Sequence, residues 1–67
     1  MENRLYYKEK LIVQIGEEIK LTRKANNDYE EQAHRHFAFS LWAYGSSTWL
    51  LDEKESRGIY KQIMNTI

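Results

Sequence analysis

The sequence predicts an all-α fold. It reads as a small three-helix antiparallel arrangement, with helices over roughly residues 3–25, 28–44 and 52–67 and the second helix central. Three observations carry that expectation. Two clusters of turn and cap formers, Asn26-Asn27-Asp28 and Gly45-Ser46-Ser47-Thr48, divide the chain into three similar segments. Apolar residues recur within each segment at helical spacing. An acid follows each candidate N-cap by three residues, at Asn27/Glu30 and at Asp52/Glu55.

In the first segment, Leu5, Leu11, Ile12, Ile15 and Ile19 fall on one helical stripe. Gly16 sits at its edge, where a neighbouring helix is expected to approach closely. Tyr6, Tyr7, Val13 and Leu21 lie off it. A hairpin reading competes over residues 11–21, because Leu11, Val13 and Ile15 alternate and Gly16-Glu17 has turn character. Ile12 breaks that alternation, and residues 2–10 suit a helix better than a strand.

The second segment opens with Asn27/Glu30 or Asp28/Glu31 as its capping pair, and acids there complement the helix dipole. Tyr29, Ala33, Phe37, Leu41 and Tyr44, with Ser40 among them, form a stripe expected to face the other two helices. Gly45 is the expected C-terminal cap. Phe39 and Trp42 fall on the opposite side, and residues 37–44 carry no charge. A helix apolar on two sides is either central or covered by another chain.

In the third segment, Ser47 or Thr48 is placed to cap a short turn at Trp49-Leu50-Leu51. Asp52 with Glu55 then opens a helix on which Ile59, Ile63 and Ile67 are joined by Tyr60 and Met64. That stripe reaches the last residue, so the C-terminus is expected to pack. Gly58 lies opposite it and weakens the helix by about 1 kcal/mol relative to alanine.

Function is narrowed mainly by exclusion. The chain has 67 residues, no cysteine and no proline, which removes disulfides, zinc ribbons and thiol nucleophiles. No stretch approaches the roughly 18 to 20 apolar residues of a membrane span. The N-terminus lacks the apolar core of a signal peptide, so the expected compartment is the cytoplasm. Ten basic residues balance ten acidic ones, unlike the basic excess of a nucleic-acid binder. A domain this small is marginally stable without help, and nine aromatics are more than three short helices easily hide.

The candidate chemistries are thin. His34 and His36 point apart on a helix, and His34 with Glu30 supplies two ligands where zinc requires three or four, so no metal is expected. The two histidines read as a solvated pair beside the core. Ser46 and Ser47 lack a nucleophile-elbow context, and Gly16, Gly45 and Gly58 are isolated, so neither catalysis nor a cofactor is expected. Lys20, Arg23 and Lys24 suit a helix C-terminus, and Arg35 stands apart.

The expectation is therefore a non-catalytic protein–protein interaction module. It would act as a regulator or inhibitor that occupies a surface of a protein partner, and as a homodimer. Phe39, Trp42, Trp49, Tyr6 and Val13 are the candidate contact residues, since aromatics dominate binding hot spots. A small DNA-associated factor and a structural subunit of a larger assembly are the alternatives. The length and the lysine, asparagine and isoleucine usage resemble the style of phage or mobile-element products.

Overall fold

A computed structural model describes residues 3–67. Among them three helices follow one another: α1 (Arg4–Arg23), α2 (Asp28–Ser47) and α3 (Glu53–Met64). No strand is present among the described residues, so residues 11–21 are helical and not a hairpin. α1 and α2 run antiparallel, as do α2 and α3, and α2 is central, packing on both neighbours.

The caps explain the boundaries. Asn27 Oδ1 accepts the Glu30 backbone N–H at 2.8 Å and starts α2, where Asp28, Glu30 and Glu31 sit at the positive end of the dipole. At α3 the box is complete. Asp52 Oδ1 accepts the Glu55 N–H at 2.8 Å, and Glu55 Oε1 accepts the Asp52 N–H at 2.9 Å.

α2 does not end at Gly45. It continues to Ser47 with Thr48 as its C-cap, and the Thr48 hydroxyl donates to the Tyr44 carbonyl at 2.8 Å. Gly45 is instead buried inside the helix, beneath Leu11 and Leu51. The residue that leaves the helix with a left-handed backbone is Trp49, at φ 62°. Its N–H reaches the Ser46 carbonyl at 3.4 Å, and the Leu51 N–H returns to the Gly45 carbonyl at 3.0 Å. A left-handed residue is a common way to terminate a helix, but glycine usually holds it.

The core is one cluster: Leu11, Ile15 and Ile19 from α1, Ala38 from α2, Leu51 from the turn, and Ile59 and Ile63 from α3. Phe39, Leu41, Trp42 and Leu50 pack against it. The α1 stripe is thus realised at Leu11, Ile15 and Ile19, while Leu5 is exposed and Ile12 lies at the margin. The close approach expected at Gly16 falls elsewhere. Gly16 has nothing within 4 Å of where a side chain would begin, and the tight contact is at Gly45.

Of the expected α2 stripe, Leu41 packs on the core and the other members do not. Ala38 and Gly45 face α1, and Phe39 and Trp42 face α3, while Phe37 is 59% exposed, with Tyr29 and Tyr44 exposed as well. Helices approach most closely over small side chains, so the seam runs along Ala38 and Gly45 and turns the large aromatic stripe outward.

Polar ties fasten the three helices. Glu18 Oε1 and His34 Nδ1 are 2.7 Å apart in the α1–α2 seam, so His34 is half-buried and paired across helices, not solvated. His36 is exposed. Arg35 donates to the Thr66 carbonyl at 2.6 Å and to its hydroxyl at 2.9 Å, joining α2 to the residues after α3. Thr66, and not the 76%-exposed Ile67, therefore anchors that end. Lys8 meets Glu55 at 2.9 Å and links α1 to α3.

Candidate functional site

The candidate residues separate into two places. Trp42 and Trp49 line one groove beside α3, with Phe39 packed against Trp42 and Tyr60 outside its lining, whereas Tyr6 and Val13 lie on the outer side of α1, both more than half exposed. There Tyr6 packs edge-on against Tyr7 at 5.3 Å between centroids, and the Lys10 ammonium sits 5.4 Å from the Tyr6 ring centre.

The first group builds a groove between the C-terminal half of α2 and the start of α3. Its back wall is aromatic. Trp42 and Tyr60 have centroids 5.2 Å apart, and Phe39 meets Trp42 at 6.4 Å and Tyr60 at 6.0 Å. The Trp42 indole N–H donates to the Ser56 carbonyl at 2.8 Å, which fixes the ring while leaving it part-exposed. Ser46 and Ser56 hydrogen-bond to each other beside it. Leu51, fully buried, forms the floor, and Trp49, 70% exposed, stands at the edge. The groove is shallow and widely open to solvent, with a volume of about 760 Å³.

The polar rim is internally satisfied. Asp52 is engaged as the cap of α3, and Glu53 pairs with Arg57 at 2.7 Å. The Glu55 carboxyl is held below the ordinary glutamate range, first by the Asp52 backbone N–H and then by Lys8. The groove therefore offers an apolar wall and floor with a hydrogen-bonded rim of one net negative charge, suited to an apolar anchor from another molecule.

No protein-family model, curated protein or solved structure matches the chain.

The groups are poorly arranged for bond-making. The Ser46 hydroxyl is paired with Ser56, and Ser46 lies ~18 Å along the helix axis from His34. His34 faces α1. Among the described residues no three histidine or carboxylate side chains gather where a metal ion would sit, and no helix is long and apolar enough to cross a membrane.

Sequence reasoning missed Tyr60, Leu51 and Arg57 as parts of the groove. Tyr60 was legible as a member of the α3 stripe, but which neighbour it meets depends on how α3 docks. The left-handed turn that brings Leu51 inward and sends Trp49 outward has no sequence signal, since tryptophan is the wrong residue type for it.

Proposed function

We propose that the chain is a non-catalytic, cytoplasmic interaction module that regulates or inhibits a protein partner by docking through the Trp42–Trp49–Tyr60 groove. One observation carries the reading. Trp49 is both exposed and held at φ 62°. A bulky residue in the left-handed region costs roughly 1–2 kcal/mol. Retaining the largest apolar side chain there, outside the core, is hard to account for by stability. It is accounted for if the indole is a contact residue, since strained backbone tends to mark functional positions and tryptophan is the residue most enriched in hot spots.

The acidic first turns of α2 and α3, with Asp28, Glu30 and Glu31 on one and Glu53 and Glu55 on the other, would repel phosphate at the helix ends a DNA reader inserts. They favour a protein partner over a nucleic acid.

The test is a comparison of wild-type chain with Trp49→Gly as baits in native-host lysate, read by quantitative mass spectrometry. A specific protein retained by the wild type should fall by at least about 30-fold on the variant, while circular dichroism shows an intact helical fold. Equal retention of every protein on both baits would sink the groove reading. Retained material that is nucleic acid, released steeply by modest salt, would favour the DNA-associated alternative.

A further inference from the structure

The side of α2 away from α3 is uncovered. Around the helix, Ala38 and Gly45 mark the direction of α1, and Phe39 and Trp42 mark that of α3. Phe37, Ser40 and Tyr44 lie on the remaining flank. Tyr7 and Gln14 of α1 border Tyr44 across the seam. Tyr7, Phe37 and Tyr44 are 59%, 59% and 58% exposed, and no charge interrupts α2 at positions 33, 37, 40, 44 or 47.

We infer that a second copy of this chain covers this face, with the two α2 helices packed antiparallel about a two-fold axis midway between Phe37 and Ser40. The inference stands on a surface separate from the groove. Its first support is shape. Ala33, Phe37, Ser40, Tyr44 and Ser47 alternate small and large at spacings of four and three, which is the seam of a two-helix packing. In the antiparallel register Phe37 falls opposite Ser40 of the second copy and Tyr44 opposite its Ala33. Each large side chain then meets a small one, and the face complements itself as a two-fold interface requires.

Charge supports the same direction. α2 begins with Asp28, Glu30 and Glu31 and has no basic residue in its last turn. Antiparallel pairing sets each acidic end against an uncharged one, whereas parallel pairing would bring the two acidic ends together. The three aromatics hold roughly 250–450 Å² of exposed surface per copy, about 500–900 Å² for the pair, which is the size of a weak and reversible association.

Sedimentation equilibrium decides the matter. The wild-type mass should rise from one chain to two across the micromolar range. Ser40→Arg, at an exposed helical position, should weaken association by at least about 30-fold, and Trp49→Gly should leave it unchanged. Since the chain has no cysteine, cross-linking checks the register even if Ser40→Arg folds poorly. Gln62→Cys on the exposed side of α3 should not oxidise to a linked dimer. A mixture of Glu30→Cys with Ser47→Cys should link more than either variant by itself. A single-chain mass at all concentrations overturns the inference, as does a dimer unaffected by Ser40→Arg. A dimer abolished by Trp49→Gly would overturn it by moving self-association to the groove.

Discussion

An alanine methyl group at position 45 would lie 2.5 Å from Leu11 Cδ2 and 2.8 Å from Leu51 Cγ and Cδ1. Leu51 is 1% exposed and has little room to withdraw. Gly45→Ala should therefore lose more to overpacking, about 1–3 kcal/mol, than the ~1 kcal/mol it gains in helix propensity. Gly16 and Gly58 are exposed, and a side chain there meets nothing within 4 Å. Alanine at either should stabilise by up to ~1 kcal/mol. Urea midpoints of the three variants check this, and a Gly45→Ala midpoint above wild type would mean that the two leucines yield freely. Four residues on, Trp49→Gly should raise stability by roughly 1 kcal/mol by removing the left-handed cost, while it weakens partner capture. A variant that is less stable than wild type would show that the indole supports the fold and is not held there for contact.

The elements divide α2 into a structural side and a free side. Trp42 packs against the core, stacks near Tyr60 and donates to Ser56, so Trp42→Ala should cost about 3–5 kcal/mol. Phe37→Ala, at a dilution where the chain is monomeric, should change stability by no more than about 0.5 kcal/mol. Thermal unfolding of both separates the cases, and equal losses would place Phe37 in the intramolecular core. The sequence read the existence of the three helices, the Asn27 and Asp52 caps and the Leu11–Ile15–Ile19 seam, because capping and periodicity are local. It placed Leu41 rightly on the packing face of α2 but turned Phe37, Tyr29 and Tyr44 inward. Apolar periodicity weighs large side chains, but the seam with α1 is made of Ala38 and Gly45, whose smallness lets the helices approach. Gathering of Trp42 and Trp49 beside α3 was legible only as two aromatics near one another in sequence. The groove they form depends on Tyr60 and on the turn at Trp49.

Across the whole molecule, 43 Å long and 19 Å wide, α3 is the dependent part. Its 12 residues are at or below the length at which an isolated helix is stable in water, so docking holds it helical. Lys8–Glu55 is one tie, and acid should loosen it. The Glu55 pKa is lowered on folding, by the Asp52 N–H first and Lys8 second. Its contribution is thus full above the ordinary value of 4.5 and is lost as pH falls through the lower folded value. The stability difference between wild type and Glu55→Gln should be constant near neutrality and shrink below that value. Thermal midpoints as a function of pH test this, and parallel curves throughout would remove Glu55 from the acid response.

The groove has one wall on α2 and the other on α3, and so it exists only while α3 is docked. Any occupant must then bind the docked population in preference to the open one, and its affinity is scaled by that population. Lys8 at one end of α3 and Arg35 at the other touch nothing in the groove, yet both set how often it is present. On the proposed reading, affinity for a partner would in this way be coupled to two ion and hydrogen-bond latches outside the groove. By reciprocity such a partner, once seated, would tighten both.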